Sequence, residues 1–164
     1  MSTELNHSAL PEPWEKQAVH FVGGLQAVGF SQDQSFLLVV STSGRSVIDL
    51  KSFEKVARDR NSVLHEFSDN NAGTVLGIGP IENEVVSCVA LWDGWSRELS
   101  SKTNDGWQID LQDEVTTFLV SPDEQKYSLL ESAGEFVTVG FTDIGTQLVV
   151  ASTADLFIYG RVET

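Results

Sequence analysis

Few residues of this 164-residue chain have the type and spacing that catalysis requires. Its three histidines lie in no metal-binding or catalytic spacing, and the single cysteine, Cys88, cannot complete a structural zinc set. The segment Gly77-Ile78-Gly79 is followed by Pro80, so it cannot open a dinucleotide-binding helix. We therefore predict a protein that is not an enzyme and that has no catalytic residues, no metal and no cofactor.

Charge is the strongest chemical signal in the sequence. The chain has 24 Asp+Glu against 10 Lys+Arg, so its formal net charge is −14. Residues 1–60 hold seven acids and six bases, which leaves seventeen acids and four bases for residues 61–164. Nucleic acids and anionic membranes are bound through Lys and Arg, so this charge argues against both. A basic protein partner is the natural inference, and acidity that serves only solubility is the alternative.

Aromatic residues lie among these acids in the middle of the chain. Asp-Gly-Trp elements occur at Trp92-Asp93-Gly94-Trp95 and at Asp105-Gly106-Trp107, and Asp-Gly favours tight hairpin turns. Indole rings supply buried area in protein interfaces, while carboxylates steer and pair with a basic partner. The alternative is that the tryptophans pack in the core while the acids are solvated. The predicted partner-binding residues are Asp69, Glu82, Glu84, Trp92, Asp93, Trp95, Glu98, Asp105, Trp107 and Asp110.

The elements that must position these residues have the pattern of β-strands. Short runs rich in Val, Ile, Phe, Trp and Thr are separated by clusters of Gly, Asp, Asn and Ser. Strict alternation over 107–111 is typical of a strand with one wet face, and the continuous apolar run 36–40 predicts a strand covered on both faces. Strands are predicted at 26–30, 36–41, 46–49, 55–58, 75–79, 85–92, 97–101, 107–111, 115–120, 126–131, 136–141, 147–152 and 156–161.

The start of the chain has a different character. Residues 1–13 contain two prolines that prevent regular structure, so we predict a loose segment followed by a single all-β domain over 14–164. Residues Trp14 to Val22 allow a short helix, with Trp14, Ala18 and Phe21 on one side and Gly23-Gly24 at its end. The sequence has neither a basic leader with an apolar core nor an apolar run of about 20 residues, which predicts a soluble, cytoplasmic protein.

An internal repeat supports the β prediction. Val28-Gly29-Phe30-Ser31 matches Val139-Gly140-Phe141-Thr142, and at the same offset residues 37–42 match residues 148–153. Each copy resembles the inner three strands of a WD40-type β-propeller blade, although the Gly-His pair is missing and Ile48-Asp49 stands where Trp-Asp would be. A blade takes about 40–45 residues and the smallest usual propeller has about four. The resemblance therefore implies antiparallel, blade-like hairpins in a curved sheet, a sandwich or a small incomplete propeller.

The general character of the chain also resembles that of small acidic immunity proteins of bacteria. Such proteins hold a cognate toxin inactive, and this resemblance implies a cytoplasmic inhibitor that blocks the active site of a basic toxin acting in the cytosol. Asp93 and Asp105 would then steer association. Two other functions stay open: a propeller-like scaffold that joins partners, and an enzyme of unrecognised type with a pocket of perturbed titratable groups.

Overall fold

The computed structural model describes residues 10–60, 68–69, 73–90, 99–111, 117–129, 136–142 and 145–162. Within these ranges the chain forms antiparallel β-sheets and one short 3-10 helix, Gly79–Ile81, so the predicted all-β class is confirmed. The strands are β1 (Trp14–Phe21), β2 (Leu25–Phe30), β3 (Phe36–Ser41), β4 (Gly44–Asp49), β5 (Lys55–Asp59), β6 (Ser68–Asp69), β7 (Thr74–Leu76), β8 (Val85–Ser87), β9 (Val89–Ala90), β10 (Gln108–Leu111), β11 (Thr117–Val120), β12 (Lys126–Ser128), β13 (Phe136–Phe141), β14 (Gln147–Ser152) and β15 (Asp155–Arg161).

The chain divides into two compact units. Unit 1 comprises Met1–Phe21 and Glu98–Thr164, and unit 2 comprises Val22–Arg97. The single domain over 14–164 stays a prediction. No helix in the part of the chain that the structure describes is long and apolar enough to cross a membrane.

Unit 1 contains a four-stranded sheet in the order β1-β15-β14-β13 and a three-stranded sheet in the order β10-β11-β12. The helix that we allowed from Trp14 to Val22 is wrong, because this segment is strand β1, paired antiparallel with β15 from Trp14↔Arg161 to Phe21↔Asp155. Phe21, which the helix would have placed beside Trp14, is 82% exposed, whereas Trp14 is buried. Pairing with a strand from the other end of the chain thus decides the conformation of β1.

The core of unit 1 is aromatic. The Trp14 ring meets the Trp107 ring edge-on at a centroid distance of 5.8 Å and lies 5.5 Å from the Phe141 ring. Such contacts contribute about 0.5–1.5 kcal/mol per pair beyond the buried area. The cluster comprises Trp14, Trp107, Leu119, Leu129, Val139, Phe141, Leu148, Val150 and Tyr159.

Unit 2 contains a five-stranded sheet in the order β5-β4-β3-β2-β9 and a three-stranded sheet in the order β6-β7-β8. Its central strand β3 is buried on both faces from Leu37 to Val40, which confirms the prediction from its continuous apolar run. Gly29 in β2 is required by close packing, because a Cβ there would lie 2.3 Å from the carbonyl oxygen of Ser87. Cys88 is buried as predicted, and burial raises the pKa of its thiol to about 12.

The sequence repeat corresponds to a structural repeat. β2, β3 and β4 form consecutive antiparallel pairs in unit 2, and β13, β14 and β15 do the same in unit 1. The strand that pairs with the last strand of each repeat differs in origin. In unit 2 it is β5, which follows β4 directly in the chain, and in unit 1 it is β1, from the start of the chain. Each sheet therefore has the blade-like hairpins that the resemblance implied.

Four turns between or before strands share one hydrogen-bonding pattern. The backbone carbonyl of a Ser or Thr accepts the N–H of the residue three positions later. The hydroxyl of the same Ser or Thr accepts the N–H of the residue four or five positions later. The residue three positions later has a positive φ, a conformation that favours glycine. The Ser or Thr and positive-φ residues are Ser31 with Gln34, Thr103 with Gly106, Ser121 with Glu124, and Thr142 with Gly145.

The predicted strand bounds hold best within the repeat. Strands predicted at 36–41, 136–141 and 147–152 have the observed bounds. The prediction 75–79 is too long, because β7 ends at Leu76 and the chain then turns around the 3-10 helix. Of the predicted strand 97–101, the described residues show only an isolated bridge from Ser100 to Phe141.

Candidate protein-binding surface

The β7–β8 connection in unit 2 is an acidic loop closed by backbone hydrogen bonds. Gly77 donates its N–H to the Glu84 carbonyl at 2.8 Å and so closes the loop, and Glu82 donates its N–H to the Gly79 carbonyl at 3.1 Å. Pro80 occupies the start of the 3-10 helix, where its missing N–H costs nothing. Ile81 is buried and anchors the loop in the core of unit 2. Glu82 and Asn83 are left exposed, and Glu84 is half-buried.

The loop borders two adjoining depressions of about 510 and 380 Å³. Their polar lining comes from Glu82, Asn83 and Glu84 of the loop and from the β2–β3 turn, and none of the described residues that line them is basic. The full lining comprises Gln32, Asp33, Phe36, Gly79, Pro80, Ile81, Glu82, Asn83, Glu84 and Val85. The lining thus combines carboxylates with the apolar residues Phe36, Pro80 and Ile81.

Hydrogen bonds hold two of the three carboxylates in place. Glu84 Oε1 accepts the backbone N–H of Gln32 at 2.6 Å, which ties the loop to the β2–β3 turn. Asp33 Oδ1 accepts the Ser35 hydroxyl at 2.6 Å, the Ser35 N–H at 3.1 Å and the Ser31 hydroxyl at 2.9 Å. The Ser35 bonds, followed by that of Ser31, lower the pKa of Asp33, so this carboxylate keeps its negative charge in mildly acidic solution.

An exposed apolar pair lies beside these carboxylates. Leu76 and Val85 are direct partners across β7 and β8, and they are 40% and 64% exposed. The next pair, Val75 and Val86, is buried, because successive residues of a strand face opposite sides. We call the group formed by Gln32, Asp33, Leu76, Glu82, Asn83, Glu84 and Val85 the acidic surface of unit 2.

The structure brings together only part of the predicted site. Glu82 and Glu84 both lie on the acidic surface of unit 2, as two of its three carboxylates. Asp69 lies in β6, but the structure does not describe its side chain. Four further predicted residues lie outside the described residues, namely Trp92, Asp93, Trp95 and Glu98.

Trp107 is not a surface anchor, which corrects the prediction. Its side chain is 6% exposed and belongs to the core of unit 1, against Trp14. The turn that precedes it explains this orientation. The Thr103 hydroxyl accepts the Trp107 N–H at 3.0 Å and donates to Asp105 at 2.7 Å. The Asp-Gly element forms the exposed turn, as predicted, and the ring that follows it points inward.

Asp105 and Asp110 are engaged within unit 1 rather than left free for a partner. The Arg161 guanidinium donates to both carboxylate oxygens of Asp105, at 2.6 and 2.8 Å. This pairing, helped by Thr103, holds the pKa of Asp105 far below its usual range. Asp110 accepts from the Lys126 ammonium at 3.1 Å. Paired charges steer a partner weakly, because the field of each carboxylate is largely cancelled by its cation.

Sequence reasoning missed the apolar pair and the β2–β3 turn. Val85 and Val86 are adjacent valines, so alternation alone does not say which one faces outward. Asp33 lies two residues after Ser31 in a Ser-x-Asp turn, which is a local signal that the sequence does contain. Its proximity to Glu84 depends on contacts across 51 positions of the chain.

Comparisons with known proteins add little to this site. No protein-family model and no curated protein matches the chain. A solved structure described as "Structure of Dos1 propeller" aligns with 85% of the chain at a TM-score of 0.29 and 8% sequence identity. The alignment covers 41% of that structure's own length. At this TM-score the similarity carries no argument about fold or function.

Proposed function

We propose that the protein is a non-catalytic binding module whose acidic surface on unit 2 docks a basic protein partner. The observation that carries this proposal is that Glu82, Glu84 and Asp33 line two adjoining depressions, with no basic residue in the described lining. The Glu84 and Asp33 carboxylates, which are held by hydrogen bonds, present their charge in a fixed position, which reduces the entropy lost on binding. The surface therefore favours a cationic partner of defined shape.

The exposed pair of Leu76 and Val85 supplies the second part of an interface. Aliphatic side chains that are removed from water on binding contribute about 25 cal/mol per Å² of buried apolar area. The carboxylates beside them act at longer range and raise the association rate. This arrangement fits a partner that presents Arg or Lys beside aliphatic residues.

Within this class we propose an immunity protein that blocks the active site of a basic toxin. Enzymes that act on phosphate-bearing substrates have cationic clefts, and an acidic surface can occupy such a cleft in place of the substrate. The net charge of −14 supports this proposal. The test is to look for a toxin-like gene immediately upstream and to express it together with this chain. Protection of the cells would support the proposal, and continued toxicity, or no such gene, would contradict it.

The binding proposal is tested by matched charge reversals. The variant Glu82→Lys/Glu84→Lys alters the acidic surface, and Glu12→Lys/Glu15→Lys makes the same change in net charge in unit 1. The probe is a labelled peptide that combines Arg and Leu. We expect the first variant to bind at least tenfold more weakly, through slower association, because two exposed charge pairs of about 0.2–1 kcal/mol each are replaced by repulsion. The second variant should bind like the wild type.

Two further measurements distinguish charge from apolar contact. Leu76→Ser/Val85→Ser should speed dissociation and leave the association rate unchanged, because short-range contacts act after docking. The association rate of the wild type should fall as salt rises. Equal weakening by both charge-reversal variants would show that net charge alone attracts the peptide, and the proposed surface would then be wrong.

A further inference from the structure

A second surface of unit 2 has the opposite charge. Lys51, Lys55, Arg58 and Arg60 are all exposed, in a chain that holds only ten cations. None of these four has an ion-pair partner among the described residues. Residues 45–60 hold five cations against three acids, a net charge of +2. Asp59 pairs with the buried Arg45 at 2.6 Å, whereas Asp49 accepts N–H groups of its own turn and Glu54 is exposed beside Lys55.

This basic segment includes an edge strand. β5 ends the five-stranded sheet, with β4 as its neighbour in the described structure. An edge strand presents backbone N–H and C=O groups to a further strand. Arg45 holds β5 in place, because its guanidinium joins Asp59 to the carbonyl of Leu76 in β7. The edge is therefore a fixed template.

A bulge and the cations restrict what this edge can pair with. Val47 pairs with Ala57 and Ile48 pairs with Lys55, so Val56 lies outside the register, and it is 46% exposed. Bulges and lysines on an edge discourage pairing with an identical strand, because like charges would face each other. The same cations favour a strand whose side chains are carboxylates.

We propose that β5 binds an extended acidic segment of a partner protein by strand addition. Backbone hydrogen bonds to the edge would supply affinity, and carboxylates facing Lys55 and Arg58 would supply specificity, with an aliphatic side chain against Val56. This site uses different residues from the acidic surface of unit 2, although the 3-10 helix beside that surface packs against β5, and it does not depend on the function proposed for that surface.

The test uses a blocked peptide of alternating Glu and Val, with affinity measured by fluorescence anisotropy. We expect Arg58→Glu to weaken binding at least tenfold, while Lys102→Glu, an equal charge change at an exposed residue of unit 1, leaves binding unchanged. Glu82→Lys/Glu84→Lys should also leave it unchanged, which separates this proposal from the previous one. Thermal unfolding of each variant checks that it is folded.

Two control ligands distinguish strand addition from charge attraction. A peptide with alternate backbone nitrogens methylated keeps its charges but cannot complete the ladder, and we expect it to bind at least tenfold more weakly. Equal binding of the methylated peptide would overturn the proposal. So would binding of duplex DNA as tightly as the acidic peptide, or no binding of the acidic peptide at millimolar concentration.

Discussion

The pair between Asp105 and Arg161 makes a prediction that separates a stabilising role from a steering role. Arg161 donates two hydrogen bonds to the Asp105 carboxylate and one, at 2.7 Å, to the Gly145 carbonyl. Its guanidinium also lies 4.8 Å from the centre of the Trp14 ring. It therefore joins the turn before β10, the β13–β14 turn and strand β1. We predict that the replacement Asp105→Ala lowers the stability of unit 1.

The size of this effect follows from the exposure of the pair. The side chains of Asp105 and Arg161 are 54% and 25% exposed, so water screens their attraction. Exposed pairs contribute about 0.2–1 kcal/mol, and a two-bond pair belongs at the upper end. We expect a coupling free energy of about 1 kcal/mol. Arg161→Ala should cost about 2–3 kcal/mol in total, because it also removes a hydrogen bond and a cation–π contact.

A double-mutant cycle measures this coupling. Urea unfolding of the wild type, Asp105→Ala, Arg161→Ala and the double variant isolates the pair from the other contacts of Arg161. The pKa of Asp105 is lowered by Arg161, so its stabilisation is fully present above the unfolded-state pKa of about 3.9 and is lost progressively as pH falls from there through the lower folded-state pKa. The coupling at pH 7 should therefore exceed that at pH 3.

Two results would refute this reasoning. One is a coupling indistinguishable from zero at pH 7 and low salt. The other is an Asp105→Lys variant that keeps full stability but slows association with the basic peptide, since Asp105 would then act as a free steering charge. The replacement Glu15→Lys, at an exposed acid of β1, provides the control for net charge.

Two other predictions concern the turns and the core. Replacing Gln34 or Glu124 by Gly should raise the free energy of unfolding by about 0.5 kcal/mol, because the strain relieved at positive φ is larger than the entropic cost of a more flexible unfolded chain. Gly145→Ala should lower the free energy of unfolding by about 1 kcal/mol, because it introduces that strain. Denaturant unfolding checks both signs, and a loss of stability in both Gly variants would contradict the first. Trp107→Ala should cost about 3–5 kcal/mol of stability. Trp107→Phe should leave peptide affinity unchanged, and a weakened affinity at intact stability would make this ring an interface residue.

The hairpins were predictable because their signals are local. Apolar runs bounded by polar turns mark β3 and β14, and the repeat places them in equivalent positions. β1 was not predictable in the same way. Its residues allow both helical and strand periodicity, and its partner β15 lies at the other end of the chain. Long-range pairing of this kind overrides a weak local preference.

The sequence predicted that the candidate site is acidic, but not which residues form it. Glu82 and Glu84 are adjacent in the sequence to turn-forming residues, so their exposure follows from local pattern. The sequence alone predicted both Trp107 and Asp105 as partner-binding residues. Their roles differ because one packs against Trp14 and the other pairs with Arg161, and both partners are remote in sequence.

The amino-acid sequence alone determined that this chain is acidic, that it is built from antiparallel hairpins, and that two of these hairpin groups are copies of one unit. These properties depend on composition and on residues a few positions apart. Only the tertiary structure decided which carboxylates are already paired, which apolar residues face water, and that acidic and basic surfaces both lie on unit 2. Those properties depend on which distant segments pack together, because burial and charge pairing are set by neighbours in space.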